Sequence, residues 1–459
     1  MKIRTITAII LLLCTTGAAA QFRDGSPGTV AEEKYQEVWT LKDCMLYAIA
    51  NSRDAKAQLA ENDSRRVEHR SAYLDWLPDI SASTSASTSF GRNIDPNTNV
   101  YNNITSFSNS YSISADYTIF NGFSVVNNYR VTRIAKLSGI EESKRIEDEI
   151  CLNVIQAYFN VLYRAGMVRI TREKLEESLT RYRQTSIMEE LGLKSHAELL
   201  QVEAEVATND FNCTKEQNNL EAELLTLKGI MFYPLERELS IDTNLAIAID
   251  PYTIGESADS IFEAARTFLP EILIAEYNTE TARLKHQTAK LQILPNIYAQ
   301  AGLSTGYMTY LNGGNVSAGF VRQMNSNLGE YVGIGMSIPI FSGLERHANV
   351  TKARNEYKKA LYEEEKNLQE VATEIRKSVQ DMQGAAKEYI QADKLVRAYQ
   401  AAYQANLKKY EEGLISIIDL QTSANELLSS KAERLNSALS YMLRNKIVNY
   451  YKGIHYLAQ

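Results

Sequence analysis

Ile-Phe-Ser-Gly at positions 340–343 and Gly-Leu-Ile-Ser at positions 413–416 enclose the stretch that decides the fold. Between them the chain contains no proline and one interior glycine, Gly384. The 69 residues from 344 to 412 would form a helix about 100 Å long, more than a single globular domain needs. A left-handed coiled coil is predicted, because apolar or aromatic residues hold eight consecutive heptad positions: Leu361, Leu368, Ile375, Met382, Tyr389, Val396, Tyr403 and Tyr410.

The same landmarks occur once more, 221 residues earlier, as Ile-Phe-Asn-Gly (119–122) and Gly-Leu-Lys-Ser (192–195). Moving the heptad positions back by 221 places apolar residues at six of the eight. A Leu-Pro-x-Ile motif is also repeated, at 77–80 and 294–297, with an offset of 217. The sequence therefore contains an internal two-fold repeat, and the difference of four between the offsets is an insertion that belongs in a loop.

The N-terminus predicts export. A basic start with Lys2 and Arg4, an uncharged apolar run and an Ala-Ala-Ala cleavage site before Gln21 are typical of a secretory signal peptide. Cys14 invites a lipoprotein interpretation, which the bulky Leu13 before it disfavours. The predicted segments are the signal peptide (1–20), an N-terminal extension (21–38), repeat 1 (39–229), an inter-repeat segment (230–256), repeat 2 (257–450) and a C-terminal tail (451–459).

Each repeat also carries two segments of alternating character. From Phe107 to Ile119 the odd positions are mostly aliphatic or aromatic and the even positions are mostly serine, and a period of two predicts β-strands. Strand hairpins are thus predicted at 78–120 and 295–341. Such strands also occur in soluble β-domains, but about ten residues with one polar and one apolar face also suit a transmembrane barrel.

Four strands per chain cannot close a barrel, and an open edge in lipid would leave backbone groups unpaired. Two copies would give an eight-stranded barrel, in which side chains fill the interior. Three copies would give a twelve-stranded barrel, which can enclose an open lumen. The side chains that would face the barrel interior are small and polar, and this favours an open lumen and therefore three copies. The predicted fold class is an α+β membrane protein: a trimeric 12-stranded β-barrel continued by a periplasmic coiled-coil tunnel, with long helices at 123–191 and 344–412.

Composition and motifs argue against several other classes of function. The net charge is −7 and no stretch of sequence forms a concentrated basic stripe, which disfavours nucleic acid as a partner. The five histidines lack metal-ligand spacing, and the sequence has no phosphate-binding loop, nucleophile elbow or dinucleotide fingerprint. Catalytic, cofactor-binding and metal-binding residues are therefore not predicted. We expect Cys44, Cys151 and Cys213 to be buried core residues.

The order and doubled spacing of the motifs resemble the TolC family of outer-membrane efflux proteins over nearly the whole mature chain. The resemblance rests on Trp39-Thr40-Leu41, both Leu-Pro-x-Ile segments, both Ile-Phe-x-Gly segments and both Gly-Leu-x-Ser turns, and the stretch 91–99 resembles members from Bacteroidetes-like bacteria. It implies a homotrimeric channel-tunnel of a tripartite efflux or type I secretion system, set in outer-membrane lipid, with an equatorial mixed domain. Such a passive duct docks to a periplasmic membrane-fusion adaptor and an inner-membrane RND or ABC pump.

The resemblance also assigns roles near the two glycine turns, which would form the periplasmic tip. Asp419 matches a lumen-facing carboxylate of the entrance constriction, and Glu198 is its counterpart in repeat 1. Tyr410 matches a tyrosine that hydrogen-bonds to that first-repeat carboxylate, whereas Thr422 replaces a second entrance carboxylate of the family. The residues expected to form the turns and contact the adaptor are Gly192, Leu193, Ser195, Gly413, Leu414 and Ser416.

Other interpretations remain open from the sequence. Tyr410 lies on the heptad seam, where packing alone explains it, and Glu198 and Asp419 are carboxylates near helix N-termini, which the helix dipole favours. A periplasmic coiled-coil scaffold that does not conduct accounts for the heptads but not for the paired strands. An enzyme or adhesin built on a barrel is disfavoured because the hairpin loops carry no acid–base pair.

Overall fold

The computed structural model describes residues 38–94, 100–103, 105–243, 257–311 and 318–459. The predicted signal peptide, the N-terminal extension up to residue 37 and residues 244–256 of the inter-repeat segment lie outside these ranges. The helices are α1 (Leu41–Asn51), α2 (Arg53–Leu74), α3 (Ser124–Glu190), α4 (His196–Met231), α5 (Ala258–Ala265), α6 (Pro270–Leu291), α7 (Phe320–Ser326), α8 (Glu345–Glu411) and α9 (Ile417–Tyr451). The strands are β1 (Asp79–Ser89), β2 (Arg92–Ile94), β3 (Tyr101–Asn103), β4 (Ser106–Asn121), β5 (Asn296–Tyr310) and β6 (Gly329–Ser337), and a short 3₁₀ helix covers Tyr456–Ala458.

The two long helices, α3 and α8, contain 67 residues each. α3 packs beside α2 near its N-terminal end, where Asn62 Nδ2 donates to Ser143 Oγ at 2.7 Å. Further along it packs beside α4, where Arg164 and Glu216 form an ion pair at 3.3 Å. α8 packs in the same way beside α6 and then α9. Each long helix therefore lies along two shorter helices placed end to end.

The Ile-Phe-x-Gly motifs turn the chain from strand to long helix through two consecutive residues with positive φ. The pairs are Gly122 and Phe123 (64° and 61°) and Gly343 and Leu344 (59° and 65°). Glycine suits the first position of each pair because a side chain makes this conformation costly. At Gly122 a Cβ atom would also lie 2.5 Å from the backbone oxygen of Leu291, so the motif fixes this junction beside the end of α6.

The four main strands form one antiparallel sheet in the order β1-β4-β5-β6, and the β4–β5 pairing joins the two repeats. Side chains alternate between the faces, and one face carries apolar residues that stay exposed in the single chain, among them Val332, Ile334 and Ile80. The other face is polar. On it, paired serine hydroxyls of β1 and β4 lie 2.7–2.9 Å apart: Ser81–Ser114, Ser83–Ser112, Ser85–Ser110 and Ser87–Ser108.

The polar face continues across β5 and β6, where tyrosine rings lie over glycines. Tyr298 opposes Gly335, and Tyr331 opposes Gly302. A Cβ atom on Gly302 would lie 2.6 Å from the Tyr331 ring, so the ring rests directly on the backbone of the neighbouring strand. Flat rings over glycines and short serines keep this face shallow from β1 to β6.

Several local features differ from the sequence-based expectation. β6 ends at Ser337 although the alternation continues to Ile340, because Pro339 has no N–H for the strand ladder. Two helices rather than one precede each Leu-Pro motif: in repeat 1 the hydroxyl of Ser52 caps α2 after α1 ends, and in repeat 2 Pro270 begins α6 after α5 ends. The short helix α7 and the two-stranded ribbon of β2 and β3 are additional to the predicted elements.

Buried apolar side chains form three clusters along the helices. Cys44 and Cys151 lie in the first cluster, and Cys213 is also buried as a free thiol, as expected. The inter-repeat segment returns to the start of repeat 1 through a parallel bridge between Trp39 and Ile241. Within the described ranges, no helix has a stretch apolar and long enough to cross a membrane.

Candidate functional site

The two glycine turns join α3 to α4 and α8 to α9 with the same backbone geometry. Gly192 and Gly413 have φ values of 72° and 76°, a left-handed conformation that favours glycine. The residue after each glycine donates its N–H to a carbonyl five positions earlier, Leu193 to Met188 and Leu414 to Lys409, both at 2.8 Å. This hydrogen bonding ends each long helix in a Schellman motif and sets the next helix antiparallel to it.

Serine caps the helix that follows each turn, but the two repeats use the cap differently. Ser195 Oγ accepts from Glu198 N at 3.2 Å, and Ser416 Oγ accepts from Asp419 N at 3.2 Å. Asp419 completes a reciprocal capping box, because its Oδ2 accepts from Ser416 N at 3.1 Å and from Ser416 Oγ at 2.7 Å. These hydrogen bonds hold the pKa of Asp419 below its usual value.

The carboxylate of Glu198 takes a different partner and reaches across to repeat 2. Tyr410 Oη donates to Glu198 Oε1 at 3.0 Å, and Lys194 Nζ donates to the same oxygen at 2.5 Å. The Lys194 ammonium also lies 4.6 Å from the centre of the Tyr410 ring, within the range of a cation–π contact. Burial and the hydrogen bond to Glu198 raise the pKa of Tyr410 to about 12, so the hydroxyl remains a proton donor at physiological pH.

A second polar network, which the sequence reasoning missed, lies about two helical turns from this contact. Arg181 Nη1 donates to both carboxylate oxygens of Glu205 at 2.9 and 3.0 Å, and its Nη2 donates to Tyr403 Oη at 3.1 Å. Tyr403 Oη in turn donates to Glu177 Oε2 at 3.1 Å, and Gln421 Nε2 donates to Glu205 Oε2 at 3.2 Å. The network therefore connects α3, α4, α8 and α9.

The sequence did carry a signal for this network. Ser178, Arg181 and Thr185 follow one another at helical spacing on α3, and all three are buried. Polar residues on the buried side of a coiled coil need partners inside it. An arginine at that spacing therefore predicts an acidic or hydroxyl group on a facing helix.

The remaining predicted tip residues are exposed in the single chain. Leu193 and Leu414 are 71 % and 68 % exposed and occupy equivalent positions of the two turns. Thr422 is exposed, and its hydroxyl donates only within α9, to the carbonyl of Ile418 at 2.9 Å. The structure thus brings Tyr410 and Glu198 together, whereas Asp419 and Thr422 project from the tip without a partner on another helix of the described chain. Nor do the described residues contain a group of three or more His, Cys, Asp or Glu side chains able to hold a metal ion.

An open groove follows α3 and α8 next to the polar network. It has a volume of about 550 Å³ and is lined by residues of both helices. Arg181 is the basic residue of this lining and pairs with Glu205. The carboxylates that line it are Glu173, Glu176, Glu177 and Glu411, which give the groove an acidic character.

Comparisons with known proteins agree with this geometry. Residues 47–231 and 263–445 match the family described as outer membrane efflux protein. The chain is 22% identical over 313 residues to outer membrane protein TolC of Escherichia coli strain K12, a match that covers 67% of this chain and 62% of that protein. It is 19% identical over 319 residues to the alkaline protease secretion protein AprF of Pseudomonas aeruginosa, covering 68% of this chain and 63% of AprF.

The match thus spans less than two thirds of the length of these two relatives. Structural similarity extends further. A crystal structure of CusC, studied for its folding and transmembrane channel formation, superposes with a TM-score of 0.75 at 18% identity, covering 90% of this chain and 91% of that one. At this identity the likeness concerns the fold, which is that of a duplicated chain with two long helical hairpins and a four-stranded sheet.

The fold is therefore that of an outer-membrane channel-tunnel subunit. Because the family match covers most of both repeats, the chain belongs to the outer membrane efflux protein family, and the resemblance to the TolC family is confirmed.

Proposed function

We propose that the chain is one protomer of a homotrimeric outer-membrane channel-tunnel, the passive exit duct of a tripartite efflux or type I secretion system. The observation that carries the proposal is the four-stranded sheet with one continuous polar face and one exposed apolar face, in which the outer strands β1 and β6 each have one neighbouring strand among the described residues. A sheet of this kind is stable in lipid only when its edges are paired. Three copies supply twelve strands, with the shallow serine and tyrosine face turned to the lumen and the apolar face to lipid.

The helices continue the duct into the periplasm. Each 67-residue helix spans about 100 Å, and the two helical hairpins, one from each repeat, end together at the glycine turns. We assign repeat 1 to 39–229 and repeat 2 to 257–450, with the inter-repeat segment (230–256) at the equator of the tunnel. The duct itself needs no catalytic residue and no cofactor.

The tip would act as the gate. The hydrogen bond between Tyr410 and Glu198 joins the repeat 2 hairpin to the repeat 1 hairpin, so it supports a closed state. Asp419 is free of partners on other helices of the described chain, and three copies in a trimer would gather their carboxylates at the entrance. Mutual repulsion of these carboxylates would favour cations there.

The turns offer a docking place for a periplasmic membrane-fusion adaptor. The exposed Leu193 and Leu414 present equivalent apolar side chains, with Gly192, Ser195, Gly413 and Ser416 shaping the turns around them. Burial of these side chains against a partner would favour association through the hydrophobic effect. An inner-membrane pump of the RND or ABC class would complete the assembly. AprF is named for secretion of an alkaline protease, which supports export as the general role without identifying this chain's cargo.

Reconstitution tests the proposal directly. The mature protein is purified from outer-membrane fractions, its mass in detergent is measured by light scattering, and its conductance is recorded in planar bilayers. The proposal expects three chains per particle and a conducting pore. A trimer that never conducts, with or without an opening mutation at the tip, would instead support the coiled-coil scaffold and overturn the duct.

A further inference from the structure

Positive charge is concentrated on the four helix segments that lie where the sheet meets the helices. We define the basic belt as the four helix segments next to the sheet, residues 64–74 of α2, 124–137 of α3, 281–291 of α6 and 345–358 of α8. Together they contain thirteen Lys or Arg against three Asp or Glu, a formal charge of +10 in a chain whose net charge is −7. So local an excess indicates a partner that carries negative charge.

The folded chain assembles this belt from segments that are far apart in sequence. α2 and α6 lead into β1 and β5, while α3 and α8 follow β4 and β6. Because the sheet is antiparallel, all four of these helix ends lie at the same end of the strands. Contacts between side chains connect neighbouring segments: His69 to Thr132 at 3.2 Å, Asn127 to Thr288 at 3.0 Å, and the stacked rings of His286 and Tyr357 with centres 6.1 Å apart. Each segment alone is too short to form a basic stripe in the sequence.

Most of these charges lack a carboxylate partner in the part of the chain that the structure describes. Arg65, Arg66 and Arg283 form ion pairs within their own helices. Arg346 donates to the carbonyl of Pro339 at 2.9 Å. Among the described residues, the other nine form no ion pair: Arg70, Arg130, Arg133, Lys136, Lys285, Lys290, Lys352, Arg354 and Lys358. An external anion is therefore free to approach them.

The α3 segment carries its positive charge at Arg130, Arg133 and Lys136, in the second to fourth turns of a helix that begins at Ser124. The helix dipole acts only within the terminal turns, so it favours Lys290 in the last turn of α6 but does not account for these three residues. All three side chains are exposed, since α3 contacts its neighbours through Asn127 and Thr132. Among the described residues, no ion pair accounts for the charge of these three side chains.

A groove between α6 and α8 adds a concave site to the belt. It has a volume of about 440 Å³ and polar as well as charged walls. Lys359 pairs with Glu363 across 3.7 Å, and Glu356 also lines the groove, which leaves Lys285 and Lys352 as its basic residues without a carboxylate partner among the described residues. Small side chains form part of its lining and leave room for a headgroup: Ala282, Ala353 and Ala360.

Aromatic side chains mark the membrane boundary next to the belt. Trp76 lies between α2 and β1, with its ring centre 5.7 Å from that of Tyr73 and 5.8 Å from that of Tyr129. Trp76 and Tyr73 are 43 % and 57 % exposed. Exposed tryptophan and tyrosine are typical of the level at which lipid headgroups begin. The belt starts on the helix side of this boundary, where the phosphate groups of the periplasmic leaflet would lie.

We propose that the basic belt binds the phosphate headgroups of anionic glycerophospholipids in the periplasmic leaflet of the outer membrane. Lysine and arginine form charge-assisted hydrogen bonds to phosphate oxygens, and clusters of them beside a membrane recognise anionic lipid. The inference rests on the proposed outer-membrane location but goes beyond the duct, because it assigns a lipid preference to a surface that takes no part in conduction.

The test titrates the full-length mature trimer with phosphatidylglycerol or phosphatidylcholine in detergent and follows bound lipid by native mass spectrometry. Wild type should bind phosphatidylglycerol in preference to phosphatidylcholine, and added salt should weaken the preference. The variant Arg130→Gln/Arg133→Gln/Lys136→Gln should lower the phosphatidylglycerol affinity about tenfold, and Lys285→Gln/Lys352→Gln should lower it in the same direction. The matched control is Arg169→Gln/Arg172→Gln/Arg183→Gln, which removes three exposed charges from the middle and distal part of the same helix and should leave affinity within about twofold of wild type.

The outcomes separate this proposal from the duct itself. Equal affinity of wild type and the α3 variant for phosphatidylglycerol, or an equal loss in the control, would overturn the belt as a lipid site. Unchanged lipid binding together with a shift in ion selectivity in neutral bilayers would place the charges at the lumen and also overturn it. A conducting trimer with either of these results leaves the duct intact, whereas a non-conducting protein that still prefers phosphatidylglycerol would reject only the duct.

Discussion

Tyr410 of repeat 2 donates a hydrogen bond to Glu198 of repeat 1 at 3.0 Å, although 212 positions separate the two residues. The tyrosine lies in the last turn of α8 and the glutamate in the first turn of α4. The contact therefore connects the two helical hairpins within one turn of their tips. Any movement that separates the hairpins at the tip must break it.

Tyr410→Phe should make the tip easier to open. The substitution removes one hydrogen bond to a carboxylate, which contributes about 1.5–3 kcal/mol, but retains the aromatic ring and the Lys194–Glu198 ion pair. We expect resting conductance in planar bilayers to rise about tenfold. The matched control is Tyr399→Phe, on the same helix, because the Tyr399 hydroxyl makes no hydrogen bond to the described residues. If Tyr410→Phe and this control have the same resting conductance, the Tyr410–Glu198 hydrogen bond does not hold the tip closed.

Asp419 should influence ion selectivity more than it influences closure. Replacing it with alanine removes the carboxylate that three protomers would place at the entrance, so we expect lower cation selectivity and weaker block by trivalent cations in single-channel recordings. Loss of the reciprocal capping box should also weaken the first turn of α9, because Ser416 N loses its acceptor. Thr422→Ala, one turn further along α9, is the control that should change neither property. If Asp419→Ala has the same cation selectivity as wild type, Asp419 does not contribute to the entrance constriction.

The pH dependence of Asp419 follows from the direction of its pKa. Because the hydrogen bonds from Ser416 lower the folded-state pKa, the stabilising charge is fully present above the unfolded-state pKa and is lost only as the pH falls through the lower folded-state value. Cation selectivity carried by this carboxylate should therefore be lost on acidification and remain constant from neutral to alkaline pH, as measured by reversal potentials in a salt gradient, whereas Asp419→Ala should lack this acid-induced loss.

Sequence periodicity was sufficient to predict the fold because the same order of heptads, alternating strands and glycine motifs occurs in both repeats. Heptads, alternating strands and the Ile-Phe-x-Gly junctions each impose a geometry within a few residues, and the Tyr410–Glu198 contact followed from the family resemblance. The Arg181–Glu205–Tyr403 network and the basic belt required the tertiary structure. Their members are distant in sequence, and only the packing of four helices determines which of them meet.

The Arg181 network should stabilise the helical hairpins more than an exposed ion pair does. Arg181 and Glu205 are 7 % and 8 % exposed, so Glu205→Gln would leave a buried guanidinium without its full counter-charge, at a cost of about 3–5 kcal/mol. Tyr403→Phe, which removes the hydrogen bonds to Arg181 and Glu177, should cost about 1–3 kcal/mol. Urea unfolding of the trimer in detergent measures both.

The comparison for this network is Glu216→Gln, which breaks the more exposed pair with Arg164 and should cost about 1 kcal/mol or less. If Glu205→Gln unfolds at the same urea concentration as Glu216→Gln, the buried pair contributes no more than a surface pair. The network would then serve packing alone.

Asp148, on α3 near the C-terminal tail, should oppose folding at neutral pH. It accepts a hydrogen bond from Tyr450 Oη at 2.9 Å, and His455 Nδ1 lies 3.4 Å from its other oxygen. Burial raises the pKa of Asp148, against the lowering effect of the Tyr450 hydrogen bond; burial likewise raises the pKa of Glu271, which lies close enough to Asp148 to interact with it. Because the folded state holds the proton more tightly than the unfolded state, stability rises as the pH falls through the folded-state pKa and levels off below the unfolded-state value.

Asp148→Asn removes this buried charge while keeping an oxygen that can accept from Tyr450. We expect it to raise the free energy of unfolding by about 1 kcal/mol at pH 7 and to flatten the increase in stability between neutral and acidic pH, as measured by thermal unfolding at several pH values. Glu149→Gln, at an exposed position one residue further along α3, should leave the profile unchanged. A less stable Asp148→Asn protein across the whole pH range would mean that the ionised carboxylate, through Tyr450 and His455, stabilises the tail against α3.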